Sequence, residues 1–314
     1  MRTPLISASR RVKPASLPPA TVAPGDNLRG ATLMTLSMVV FACNDTVIKF
    51  VAREMPLFQA VTLRGFFVMA GLALIASRTG GLRLRIDAGA RWPMALRLIG
   101  EVASTVLFLS ALTHMAIGDL SAVMQALPLT VMMGAAIVYG ERMGWRRTLA
   151  VLVGLAGVLL ILRPGSGTFG VWSLVALAAM LMVALRDLAT RRFGRHVSSE
   201  TIAFYAALSV TVTGFLLSLR DGWIMPSAQQ MLLLMLGACF LTVGYVTAVS
   251  SMRIGEIGAV APFRYTSLVA AIVLGLVVFG EWPDLWTWIG SALVVSAGVY
   301  SIWRESRLAA RGKL

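Results

Sequence analysis

Apolar runs of about twenty residues follow one another along this chain, separated by short charged or Pro/Gly-bearing gaps, and they leave it few ways to fold. A bilayer core about 30 Å thick is crossed by about 20 apolar residues in a helix rising 1.5 Å per residue. Ten such runs can be placed, at 29–50, 57–77, 93–114, 118–139, 146–162, 169–190, 200–219, 229–250, 256–279 and 284–303. Met55-Pro56, Gly80-Gly81, Arg163-Pro164-Gly165 and Trp282-Pro283 fall between them, where turn-forming residues belong. Composition agrees: 58% of residues are hydrophobic and 13% charged, against about 45–50% and about 25% in soluble chains. The chain reads as an all-α integral membrane protein with ten transmembrane helices.

A net charge of +14 raises nucleic acid as a partner, but the Lys and Arg residues sit in the gaps between apolar runs. They are not gathered on one face with aromatics, as a nucleic-acid binder requires. Nucleic-acid binding is therefore excluded, and the charges are read as topology signals. With the N-terminus in the cytoplasm, only Lys49, Arg53, Arg163 and Arg220 fall on the outer side. Both chain ends are expected to be cytoplasmic. Residues 1–28, with Arg2, Arg10, Arg11, Lys13 and five prolines, read as a disordered basic tail, and 304–314 as a second basic tail on the same side. Cys43 and Cys239 lie in apolar runs without metal-ligand spacing, so neither a disulfide framework nor a metal site is expected.

Sliding the chain by about 140 residues brings its two halves into register. Met115-Ala116-Ile117-Gly118-Asp119 falls on Met252-Arg253-Ile254-Gly255-Glu256, and Gly140-Glu141 on Gly280-Glu281. Asp45 and Lys49 fall on Asp187 and Arg191. Five spans is an odd number, so the second copy must enter the membrane from the opposite side. Two inverted five-helix repeats, 29–163 and 169–303, are expected to enclose a central cavity, an arrangement common among secondary transporters. Gly154 to Gly157 and Gly290 to Gly298 make the closing span of each half rich in small residues that let helices approach closely.

These features resemble the EamA-type transporters of the drug/metabolite transporter superfamily. The resemblance is carried by the ten spans, the turns Ile117-Gly118-Asp119-Leu120 and Ile254-Gly255-Glu256-Ile257, and the Gly-Glu element before the last span of each half. It implies a ten-helix basket whose cavity opens alternately to each side of a bacterial inner membrane. It also implies a small polar organic solute, such as an amino acid, a nucleoside-like compound or a vitamin such as riboflavin.

A charge near mid-bilayer costs roughly 2.5–3.5 kcal/mol on insertion scales, so each one in a span asks for a reason. Glu101, about 12 Å into its helix, shares a face with Ser104, Thr105 and Phe108. It is either the intrahelical partner of Arg97 or a cavity carboxylate for a substrate amine or a coupled proton. Arg64 has no acidic neighbour one turn away and must pair with Asp45 or Glu101, reach water, or hold an anionic solute. Arg264 and Tyr265 follow Pro262, and Gln125 precedes Pro128 at the matching place in the first half; prolines there free backbone carbonyls and kink the helices. Arg64, Glu101, Gln125, Arg264 and Tyr265 are the candidate solute contacts, with Tyr245 as a stacking wall. Asp45 and Lys49 stand in the order that favours a helical ion pair. They are the candidate outer gate, and Asp187 with Arg191 the inner one.

No GxxxxGK[ST], HExxH or GxSxG pattern occurs, so no cofactor and no enzymatic chemistry are expected. The alternative to a carrier is a non-transporting scaffold or sensor that docks through its basic N-terminal tail. Oligomeric state leaves no mark in the sequence.

Overall fold

The computed structural model describes residues 24–79, 88–140, 144–164, 170–190, 199–254 and 257–310. Among them every regular element is helical: α1 (Pro24–Val51), α2 (Leu57–Thr79), α3 (Arg91–Leu112), α4 (Ile117–Met124), α5 (Leu127–Tyr139), α6 (Trp145–Leu162), α7 (Val171–Thr190), α8 (Ser199–Asp221), α9 (Ala228–Ile254), α10 (Ile257–Val260), α11 (Thr266–Leu274) and α12 (Leu285–Ala310). Among the described residues nine stretches are long and apolar enough to cross a bilayer. The tenth, Thr148–Leu162, is apolar but short, in keeping with its abbreviated run in the sequence. The protein is a multi-pass membrane protein.

The eight tryptophans mark its borders. Trp92, Trp145 and Trp303 lie near the end of the bundle where α1 begins, here the proximal end; Trp172, Trp223, Trp282, Trp286 and Trp288 lie at the opposite, distal end. All but Trp172 are well exposed. Amphipathic indole rings prefer the headgroup level, so the two belts bracket the apolar slab.

Two of the crossings are broken, at the corresponding places in the two halves. In the first half α4 stops at Met124 and α5 restarts at Leu127, with Pro128 in its first turn. In the second, α10 gives way to a tight 3-10 turn, Ala261–Tyr265, containing Pro262, before α11 begins. Proline tolerates a first turn, where its missing N–H would have no intrahelical acceptor, and resists a helix interior. Both broken crossings also end on a left-handed glycine, Gly140 (φ 68°) and Gly280 (φ 70°). A side chain there would be strained, which gives the Gly of the repeated Gly-Glu element a physical reason.

The halves are interleaved. α1 packs mainly on α9, and its repeat counterpart α7 packs mainly on α3; α2 pairs with α8, α6 with α12, and α5 packs on α7 as its counterpart α11 packs on α1. Each of these principal partnerships joins one half to the other and maps onto itself or its mate when the halves are exchanged, as a two-fold between inverted repeats demands. At the α6–α12 crossing a Cβ on Gly157 would sit 2.7 Å from the Gly290 carbonyl oxygen, and one on Gly290 2.6 Å from that of Gly157. Backbone meets backbone there, and only glycine allows it.

Candidate functional site

Between the halves lies a cavity of about 400 Å³, within the range of small-molecule sites. Arg64, Glu101, Gln125, Tyr245, Arg264 and Tyr265 all line it, together with Asp45 and Phe108. Helices from both repeats thus bring the six candidate solute contacts to one chamber, although they are spread over two hundred residues of sequence.

On one wall, α1 and α2 carry a polar relay. Arg64 Nη1 donates to Asn44 Oδ1 (2.9 Å), and Asn44 Nδ2 donates to Asp45 Oδ1 (3.0 Å). Arg64 is 6% exposed, and its Nε finds no hydrogen-bond partner. The carboxylamide of Asn44 therefore links an arginine and an aspartate that share the cavity.

On the facing wall, Glu101 of α3 is held by two arginines. Arg97 Nη2 stands 3.3 Å from Oε2 and Arg186 Nη1 3.3 Å from Oε1. Arg186 also reaches Asp187 (3.0 Å), and Arg97 donates to Thr190 Oγ1 (2.6 Å). Glu101 thus pairs with Arg97 along its own helix while also lining the cavity. Arg186, the residue before Asp187, is the unforeseen member. Its signal was the same one that singled out Arg64, a charge within a span.

The two helix breaks meet across the chamber, where Gln125 Nε2 donates to Ser267 Oγ (2.6 Å). Tyr265 belongs to this group by its ring alone. Its buried hydroxyl lacks a hydrogen-bond partner and abuts Gly298 of α12, where an added Cβ would overlap it. We expect Gly298→Ala to lower stability by about 1–3 kcal/mol through overpacking, and Tyr265→Phe in that background to restore much of the loss. Thermal unfolding of the purified variants checks this; an undisturbed Gly298→Ala protein would contradict it. Tyr245 stands edge-to-face with Phe41, ring centroids 5.7 Å apart, forming an aromatic corner of the cavity. Phe41 drew no attention in the sequence because one Phe in an apolar run carries no signal.

The gate residues are arranged differently from the expectation. Asp45 does not pair with Lys49: it turns to Asn44 and the cavity, while Lys49 Nζ lies 2.6 Å from Glu281 Oε1 and donates to the Met115 carbonyl (2.6 Å). A carboxylate and a carbonyl that converge from two other elements outweigh one neighbour a helical turn away. Glu281 Oε2 accepts from the Ile117 backbone N–H (2.9 Å) at the start of α4, and Thr287 donates to Asp119 (2.9 Å). Arg163 pairs with Asp284. The two sequence motifs, Ile117-Gly118-Asp119-Leu120 and Gly280-Glu281, are thus joined into one knot at the distal end. Asp187 sits in the Arg186 network toward the proximal end, and Arg191 lies outside the described residues.

Comparison with known proteins agrees with this architecture. The model of the EamA-like transporter family matches residues 28–163 and again 170–303. The chain is 29% identical to the riboflavin transporter of Vibrio cholerae serotype O1, over 85% of this chain and 91% of that protein. It is 25% identical to the S-adenosylmethionine uptake transporter of Rickettsia prowazekii, over 89% and 94%. A solved crystal structure superimposes with a TM-score of 0.61 at 22% identity, covering 90% of this chain and 99% of that one, which extends the likeness to the fold.

Proposed function

This chain belongs to the EamA-like transporter family, within the drug/metabolite transporter superfamily, and is a small-metabolite transporter; from that premise we propose a secondary carrier that moves a small polar, ring-bearing organic solute by alternating access. The bacterial inner membrane is its proposed place, with both chain ends cytoplasmic and the distal end periplasmic. The observation that carries this reading is the shared chamber: Arg64, Glu101, Gln125 and Arg264 converge on it from both repeats. Such charges are costly in a membrane and mark solute pathways, and broken helices line such pathways in other carriers. The Tyr245–Phe41 corner and Phe108 offer faces for a ring. Lys49 with Glu281 serves as the outer gate, Asp187 and Arg191 belong to the inner one, and Asp45 joins the solute wall.

Reconstituted liposomes loaded or incubated with labelled riboflavin, S-adenosylmethionine and aromatic amino acids test the proposal. We expect saturable movement of at least one solute, reduced by about tenfold or more in Arg64→Gln, since hydrogen bonds to charged groups contribute about 1.5–3 kcal/mol. A parallel series with an imposed pH gradient separates proton coupling through Glu101 from facilitated diffusion. Failure of every solute to move, in a chain that is folded and correctly inserted, would overturn the carrier reading. In that case a scaffold docking through residues 1–28 would be the remaining candidate.

A further inference from the structure

Among the described residues, the charges on the cavity wall do not cancel. Glu101 and Asp187 are matched by Arg97 and Arg186 in one connected network. Asp45 is matched by Arg64 through the Asn44 relay. Arg264 is left over: it lines the same chamber, yet no carboxylate among the described residues comes within ion-pair distance of its guanidinium. An arginine cannot shed its charge, and an unmatched cation within a membrane-spanning stretch is costly. The cavity also holds a second unfilled donor, the Nε of Arg64, and an aromatic corner at Tyr245 and Phe41.

Resting on the carrier reading above, we propose that Arg264 selects for charge, and that the solute is a ring-bearing organic anion whose carboxylate or similar acidic group neutralises this guanidinium when it binds. Among the described residues the empty chamber carries one uncompensated positive charge, and the bound anion cancels it. Neutrality favours the loaded form for the rocking step, because a chamber occluded from water on both sides within the low-dielectric slab is least costly without net charge. The ring lies against Tyr245 and Phe41, and the Gln125–Ser267 pair supplies neutral polar contacts between the two ends of the molecule.

Three compounds that share one ring and differ in charge test this: N-benzoylglycine, its carboxamide, and N-(2-aminoethyl)benzamide. Binding to the purified full-length protein is measured by titration calorimetry, with wild type, Arg264→Gln and Arg264→Lys checked for monodispersity. The expected result is carboxylate preferred over carboxamide by about tenfold, the size of one charge-assisted hydrogen bond, with the ammonium compound weakest. Arg264→Gln should reduce that preference to less than about twofold, and Arg264→Lys should retain most of it. Equal binding of carboxylate and carboxamide, preference for the ammonium compound, no binding of any of the three at millimolar concentration, or an unchanged preference in Arg264→Gln would each overturn the proposal. A liposome assay in which a neutral or cationic solute still moves would separate that outcome from failure of the carrier reading itself.

Discussion

Replacing Glu101 with Gln is expected to cost the purified protein about 3 kcal/mol of stability, because it removes the one carboxylate shared by Arg97 and Arg186. Breaking a buried ion pair from one side costs about 3–5 kcal/mol, chiefly through the charge left behind. The lower end applies here because both arginines keep a second partner, Thr190 for Arg97 and Asp187 for Arg186. Removing a cation together with the anion should reverse much of the loss, so Arg97→Met/Glu101→Gln should unfold closer to the parent than Glu101→Gln alone. Thermal or denaturant unfolding in detergent measures both. The double variant then isolates function: if it folds well and moves no solute, Glu101 contacts the solute as well as its neighbours. Parental stability in Glu101→Gln would show that the network contributes little to the fold.

Glu281→Gln should loosen the distal end of the bundle. The change removes the charge that holds Lys49 and weakens the acceptor that satisfies the Ile117 N–H, one of the orphan donors of the first turn of α4. A pair of this kind, partly buried and hydrogen-bonded on both sides, contributes on the order of 1.4 kcal/mol, which is about tenfold in an open–closed equilibrium. With Cys43 and Cys239 replaced by Ala and a reporter cysteine at Phe108, a membrane-impermeant thiol reagent applied from the distal side should label Glu281→Gln about tenfold faster than the parent. Lys49→Met should act in the same direction, and the double variant no more than the stronger single one. Equal labelling rates would mean that the knot at Lys49 and Glu281 is not a gate.

What could be read from the sequence, and what could not, follows from the range of the interactions. Spans, breaks and caps are local: apolar runs of helical length, Pro128 and Pro262 at the interruptions, and Gly140 and Gly280 at left-handed ends are all decided within a few residues. The cavity list was legible for a different reason. An ion or strong hydrogen-bonding group in a span has few places to go, and Arg64, Glu101, Gln125 and Arg264 all line one chamber. Partners were not legible. The i,i+4 neighbour of Lys49 is Asp45, and nothing in the sequence announces that its carboxylate comes from 232 positions away. Nor could the hydroxyl of Tyr265 be foreseen to point at Gly298, since that orientation depends on how closely α12 approaches.

The interleaved packing of α1 on α9 and α3 on α7 bears on how the protein comes into being. During synthesis the first five crossings enter the membrane with their main helix neighbours still unmade: Arg64 can already meet Asn44 and Arg97 can meet Glu101, but Arg186 and Thr190, which complete the Glu101 network, come only with the second repeat. Assembly is therefore completed late: a ribosome that stops short of α12 releases an open fragment in which the glycine face of α6 lacks its partner. Such a fragment is a ready target for membrane proteases, while two half-chains made together have the surfaces needed to find each other.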